Sequence, residues 1–72
     1  MSAEIEIHLN GEKTLVPAGL TVAGLLSHLE LDSGRVAIEV DRDLVRRPHW
    51  ESQLILAGAQ VEIVHFVGGG FR

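Results

Sequence analysis

The chain has 72 residues, of which 46% are apolar, and a formal net charge of −4 at pH 7. This length allows one small domain, and the apolar content is sufficient for a hydrophobic core, so a disordered chain is not expected. The negative charge argues against nucleic-acid binding through phosphate contacts. Four of the six basic residues nevertheless lie between positions 35 and 47. That cluster indicates either a solvated face or a docking patch for an acidic partner.

The sequence also bears on the compartment in which the protein works. It contains no cysteine, which excludes disulfides and thiolate metal sites and fits a reducing compartment. Residues 1–11 lack a basic region followed by an apolar stretch, so no signal peptide is expected. No apolar run reaches the roughly 20 residues that cross a bilayer. We therefore expect a cytoplasmic protein with no membrane partner.

The first two predicted elements form a hairpin. Residues 4–9 (EIEIHL) alternate between apolar and polar side chains, which predicts a half-buried strand. Asn10 and Gly11 are the preferred pair for a two-residue turn, because both tolerate a positive φ. Residues 13–16 (KTLV) are predicted to return as the second strand, which Pro17 and Gly19 end.

A helix is predicted next. Thr21 is a suitable N-cap, and apolar residues then recur with helical spacing at Val22, Leu25, Leu26 and Leu29. Gly24 is unfavourable inside a helix by about 1 kcal/mol, which indicates a close approach to a strand at this point. The helix is expected to end at residues 32–34 (DSG).

The second half of the chain is predicted to contain three further strands. Residues 35–40 (RVAIEV) alternate again, and residues 41–45 (DRDLV) read as a turn and a short strand. Residues 48–53 read as a loop or a single helical turn, in which Trp50 covers an open edge of the core. Residues 61–67 (VEIVHFV) carry apolar side chains on both faces, which predicts a central strand.

This order of elements predicts an α+β protein with a ubiquitin-like β-grasp fold. The expected architecture is a mixed sheet of four to five strands with one helix packed across one face. Residues 1–67 are predicted to form the domain. Residues 68–72 are predicted to be a flexible glycine tail, made of Gly68, Gly69 and Gly70, with a Phe-Arg extension.

The side chains predict no active site. The four histidines (His8, His28, His49 and His65) lack metal-ligand spacing, and no serine stands in a nucleophile-elbow context. The glycine run lacks the Lys-Ser/Thr pair of a phosphate-binding loop and precedes no helix. We therefore expect no catalytic residue, no metal and no bound cofactor, and the reactive group of any chemistry must lie outside the side chains.

Several segments, taken in order, resemble one protein family over nearly the whole chain. They are LNGE (9–12), TVAGLL (21–26), VAIEVDRDLVRR (36–47), Trp50 and VEIVHFVGGG (61–70). The chain resembles the ThiS and MoaD families of sulfur carrier proteins, and it is more similar to the ThiS family of thiamine biosynthesis.

The resemblance implies a carrier, acted on by enzymes, whose reactive group is the carboxylate of Gly70. In such carriers an E1-like, ThiF-type enzyme uses ATP to adenylate the terminal glycine. Sulfur from cysteine, supplied by a donor such as a cysteine desulfurase, then gives a glycyl thiocarboxylate. A ThiG-type thiazole synthase finally receives the sulfur.

A glycine tail suits this chemistry for physical reasons. Gly68 to Gly70 can extend about 10 Å beyond the last strand, at ~3.3–3.6 Å per residue. Glycine also has no β-carbon to clash in a narrow enzyme channel. Phe71 and Arg72 depart from the family pattern, so we expect a processing peptidase to cut between Gly70 and Phe71. The alternatives are a protein that never acts as a carrier, or two residues added to the natural sequence.

Other functions remain open from the sequence. The chain could carry sulfur for molybdopterin or another sulfur-containing metabolite, or serve as a ubiquitin-like modifier joined to lysines. A plain β-grasp module that binds RNA or a protein is a third alternative. Partner docking is predicted on the exposed face of the last strand, at Val64 and Phe66, with Arg46 and Arg47 nearby.

Overall fold

The computed structural model describes residues 3–66, and these residues form one mixed sheet with a helix against it. The strands are β1 (Glu4–Leu9), β2 (Glu12–Pro17), β3 (Val36–Val40), β4 (Asp43–Leu44) and β5 (Gln60–His65). The helix α1 spans Val22–His28, and short 3₁₀ turns occupy Ser33–Arg35 and Arg47–His49. The predicted β-grasp fold is confirmed.

The sheet has the strand order β2-β1-β5-β3-β4. β1 is antiparallel to β2 and parallel to β5, while β3 is antiparallel to both β5 and β4. The last strand is therefore central, as predicted. Its two faces differ, however, because Val61 and Ile63 are buried whereas Val64 and Phe66 are exposed. Val64 and Phe66 thus lie on an exposed face of the strand, as the sequence analysis expected.

The core lies between the sheet and α1. Its members alternate along the strands and recur with helical spacing along α1, as the sequence patterns require. The largest side chains with under 2% exposure are Ile7, Leu25, Leu26, Ile38, Ile55, Val16, Val22 and Val61.

The turns that were predicted from local sequence are confirmed. Asn10 and Gly11 have φ values of 50° and 85°, as a two-residue hairpin turn requires. Thr21 caps α1, since its hydroxyl oxygen accepts a hydrogen bond from the Gly24 N–H at 3.0 Å. Trp50 covers an edge of the core with 7% exposure, at the end of the predicted single helical turn.

Two helix predictions need correction. The helix ends at His28, earlier than residues 32–34, because Glu30 takes a left-handed φ of 59°. The N–H groups of Leu31 and Glu30 then donate to the carbonyls of Leu26 and Ser27, each at 3.0 Å, which is the Schellman pattern of a helix end. Glycine usually occupies this left-handed position, so glutamate there gave no signal of the helix end.

Gly24 does not approach a strand. A β-carbon built at Gly24 would lie 3.3 Å from Cδ2 of Leu20 and 3.4 Å from the Thr21 hydroxyl oxygen. The close approach is therefore to the segment that enters the helix, where the capping hydroxyl must sit near the Gly24 N–H. Within residues 3–66, no helix is long and apolar enough to span a membrane.

Candidate functional site

The structure describes the strand that precedes the predicted reactive tail in the sequence. Gly68, Gly69, Gly70 and Phe71 lie outside the described residues, so the predicted tail and cleavage site remain predictions. β5, which precedes them in the sequence, pairs with β3 along its length and with β1 at its start. Beyond the strand, the Phe66 N–H still donates to the carbonyl of residue 35 at 2.7 Å. The tail therefore follows a strand that two neighbours hold.

An open groove of about 380 Å³ lies beside the end of β5. Three of the four residues predicted for docking line it, namely Phe66, Arg46 and Arg47. The other lining residues are Val36, Ala37, Leu44, Val45, Pro48 and Trp50. The fold thus brings together an aromatic side chain and two arginines that are about 20 positions apart in the sequence. We refer to this feature as the β5 groove.

One wall of the β5 groove is organised around Trp50. Its indole N–H donates to the Val45 carbonyl oxygen at 2.8 Å, which satisfies the polar atom of a buried ring. The guanidinium carbon of Arg47 lies 4.6 Å from the centroid of the Trp50 ring, within the range of a cation–π contact. Arg47 is therefore partly engaged with the domain, whereas Arg46 is exposed without such a stacking contact among residues 3–66.

Val64 does not line the β5 groove, although it lies on the adjacent outer face of the sheet. It pairs with Ala37, which does line the groove, and Val64 itself is 56% exposed. Leu44 is a neighbouring exposed apolar residue that sequence reasoning missed. A signal was present, because Leu44 and Val45 are consecutive and successive side chains of a strand point to opposite faces.

The basic cluster of residues 35–47 is divided by the fold. Arg35 approaches Asp32 at 3.5 Å, in an exposed pair that contributes little stability. Arg42 lies in the turn between β3 and β4 and does not line the β5 groove. Only Arg46 and Arg47 line the β5 groove, so a basic docking patch would consist of these two residues.

The start of α1 does not form a phosphate site. The N–H groups of Val22 and Ala23 donate to carbonyls in residues 50–53, at 2.9 and 2.8 Å, and the Gly24 N–H is bound by Thr21. These donors would otherwise attract an anion at a helix start. Within the described part of the chain, no group of three or more His, Asp or Glu side chains is placed to hold a metal ion.

A model of the ThiS family matches residues 3–70 of the sequence. The chain belongs to the ThiS family. The match includes all three tail glycines and stops at Gly70, so Phe71 and Arg72 lie beyond the part that this ThiS chain shares with its family.

Curated relatives of this ThiS-family chain fall into two groups. It is 39% identical over 66 residues to a thiazole synthase of Magnetococcus marinus and 35% identical to one of Paramagnetospirillum magneticum, in each case over 92% of this chain. The chain spans only 20% of the length of each of these thiazole synthases. It is also 34% identical to the uncharacterized protein ycf40 of Porphyra purpurea, over 97% of this chain and 99% of that protein.

A solved structure agrees with the family. The crystal structure of the thiamine biosynthesis protein ThiS from Geobacter metallireducens superposes with a TM-score of 0.78 and 28% sequence identity. The likeness covers 92% of this chain and 100% of that chain. It confirms the β-grasp arrangement that the order of elements predicted.

Proposed function

We propose that this protein is a sulfur carrier of thiamine biosynthesis, which delivers sulfur for the thiazole ring. The observation that carries the proposal is the family match, which runs through the glycine tail and stops at Gly70. In this role the protein is a cosubstrate of partner enzymes, and ATP is used by the activating partner.

The proposed chemistry converts one oxygen of the Gly70 carboxylate into sulfur. A carboxylate oxygen attacks the α-phosphorus of ATP, which releases pyrophosphate and leaves a glycyl adenylate. The outer sulfur of a persulfide on the donor then attacks the carbonyl carbon and displaces AMP, which forms an acyl disulfide. A thiol cleaves the S–S bond of this acyl disulfide, so that the glycyl thiocarboxylate is released and a disulfide remains on the donor side. Adenylation is needed because a carboxylate is a poor electrophile, and the AMP leaving group divides one difficult step into two easier ones.

A free carboxylate on Gly70 requires cleavage of the bond between Gly70 and Phe71. We therefore propose that a peptidase removes Phe71 and Arg72 before activation. The end of the family match at Gly70 supports this step. The uncut sequence would present the carboxylate of Arg72 instead, whose side chain is much larger than a channel for glycine can accept.

The proposed partners follow from these steps. The similarity to proteins named thiazole synthase supports a partner of the ThiG type, which would receive the sulfur. The activating enzyme would be E1-like and of the ThiF type, and the sulfur donor would be a cysteine desulfurase or an equivalent. The folded domain would serve as the handle that these partners recognise, through the β5 groove and the neighbouring exposed face at Val64.

The proposal predicts a defined change of mass. A chain ending at Gly70, incubated with ATP, a ThiF-type enzyme and a sulfur donor, is expected to gain the mass of one sulfur-for-oxygen exchange. Intact-mass spectrometry detects this change directly. Omission of ATP serves as the control and should prevent it. Protein purified from its native cell should end at Gly70; a chain that retains Phe71 and Arg72 and still acquires sulfur would exclude the trimming step.

Charge reversal in the β5 groove is expected to weaken capture by the activating enzyme. Arg46→Glu should raise the KM for the carrier by roughly 5-fold at low salt, because rim charges act mainly on association. Arg46 is chosen for this test because Arg47 also stacks on Trp50, so that its replacement would change packing as well as charge. Lys13→Glu is the matched control, since it makes the same charge change on β2, at the other edge of the sheet. Equal KM values for the two variants would remove Arg46 from the docking surface.

A further inference from the structure

Two tight turns of this fold form hydrogen bonds with β5, the strand that precedes the tail in the sequence. Asn10 and Gly11 join β1 to β2, and Asp41 and Arg42 join β3 to β4. All four residues have positive φ values, as two-residue hairpin turns require. In each turn the first residue has a short side chain with a carbonyl or carboxylate oxygen, and that oxygen binds the main chain of β5 rather than its own turn.

Asn10 extends the pairing of β5 beyond the end of β1. The parallel ladder of the two strands consists of His8 with Gln60 and Leu9 with Val61. The Asn10 N–H continues it by donating to the Val61 carbonyl at 2.8 Å.

The Asn10 side chain then takes the place of one further peptide group. Its Oδ1 accepts from the Ile63 N–H at 2.8 Å, and its Nδ2 donates to the Ile63 carbonyl at 3.4 Å. A carboxamide has the donor and acceptor of a peptide bond, so it can satisfy both main-chain groups of one strand residue. β5 therefore remains attached on the β1 side two residues beyond the last backbone pair.

Asp41 makes the corresponding contact at the opposite end of β5. Its N–H donates to the Gln60 carbonyl at 2.7 Å, and its Oδ1 accepts from the Gln60 N–H at 3.0 Å. This contact lies at the first residue of the strand, on the β3 side, and far along the strand from the tail. The fold thus contains two similar turn contacts, of which only the one at Asn10 is close to the exit of β5.

We infer that Asn10 is a positioning residue, which fixes the direction in which β5 presents the reactive tail. On the β3 side, attachments continue to Phe66 through its N–H. On the β1 side, the Asn10 side chain holds Ile63, two residues beyond the last backbone pair. Loss of the carboxamide would remove the attachment of Ile63 on the β1 side, so that the end of β5 could move about its β3 side. The consequence for activation rests on the proposed carrier function, whereas the consequence for residues 64–66 does not.

The first test compares two matched variants of the 72-residue chain by NMR hydrogen exchange. Asn10→Gly and Asp41→Gly each remove one turn side chain, and glycine accepts the positive φ at both positions. In Asn10→Gly the Ile63 amide should exchange about 10-fold faster, as expected for the loss of one net hydrogen bond, and the resonances of residues 64–66 should shift or broaden. In Asp41→Gly the changes should stay near Gln60. Asn10→Asp keeps the 2.8 Å acceptor and should retain most of the Ile63 protection.

The second test uses the same variants in chains that end at Gly70 and measures their adenylation by pyrophosphate exchange with the activating enzyme. Asn10→Gly should lower kcat by roughly 10-fold with little change in KM, because the docking surface is intact and only the placement of the reactive end is altered. Asp41→Gly, which removes an equivalent contact, should leave kcat unchanged.

The two tests distinguish a failure of the inference about Asn10 from a failure of the proposed carrier function. If both glycine variants perturb residues 64–66 equally, or if Asn10→Gly leaves them unperturbed, the positioning role is wrong. An equal fall of kcat in both variants would also overturn it, since a general loss of stability would then explain the effect. If the unsubstituted carrier is not adenylated at all, the proposed function fails, and the hydrogen-exchange comparison still decides the role of Asn10.

Discussion

Replacement of Ile38 by alanine is expected to lower the free energy of unfolding by about 3–4 kcal/mol. Ile38 has no solvent exposure and lies at the middle of β3, opposite Ile63 of the central strand. Truncation there removes buried methyl and methylene groups and leaves a cavity that a strand backbone fixed on both sides cannot fill. The total free energy of unfolding of a small domain is only about 5–10 kcal/mol, so this substitution removes a large fraction of it.

Urea denaturation followed by Trp50 fluorescence measures this loss, because the indole is buried in the folded state. Leu15→Ala is the control, since Leu15 is also a strand residue but is 61% exposed, and its truncation should cost well under about 1 kcal/mol. A loss below about 1 kcal/mol for Ile38→Ala would mean that the space between sheet and helix can collapse around the missing atoms, contrary to the packing described above.

Replacement of Gly70 by alanine is expected to reduce adenylation at least about 100-fold, in a chain that ends at position 70. The reason is steric. The carboxylate must reach the α-phosphorus of ATP inside a partner enzyme, and a β-carbon next to it would clash with channel walls that fit glycine or would exclude the φ values that glycine allows. Displacement of the attacking oxygen by about 1 Å is enough for a loss of this size.

Gly34→Ala provides the matched control for a glycine-to-alanine change. A β-carbon at Gly34 would lie 3.3 Å from a carboxylate oxygen of Asp32, an exposed side chain that can move, so the domain should fold normally. Adenylation of this variant should equal that of the unsubstituted carrier in pyrophosphate exchange. Comparable activity of Gly70→Ala and Gly34→Ala would show that residue 70 is not the activated terminus.

Local patterns predicted most of the fold correctly. The alternation in residues 4–9 and 35–40 indicated strands, because one face of each is buried and the other is not. The Asn10-Gly11 pair specified its turn through the φ values that only a few residue types accept. Thr21 specified the helix start because its side chain accepts a hydrogen bond from the Gly24 N–H in the first turn of the helix. Each of these features depends on residues close together in the sequence.

Predictions that depended on the environment of a residue were less accurate. The end of α1 was placed too late, because Leu29 and Leu31 continue the apolar pattern and pack against the core after the helix has ended. The close approach at Gly24 was expected to be to a strand, but it is to Leu20 and Thr21 at the start of the helix.

By itself the sequence determined the order of elements, and it contains the glycine tail on which the prediction of Gly70 as the reactive terminus is based, since both depend on residue types and their local order. Only the tertiary structure decided that Phe66, Arg46 and Arg47 line one groove, that Arg42 is apart from them, and that the Asn10 carboxamide holds β5 at Ile63. The physical reason is that these contacts arise where hairpins and strands distant in the chain pair in one register. Asn10 and Ile63 are separated by 53 positions, and no local pattern encodes a bond between them.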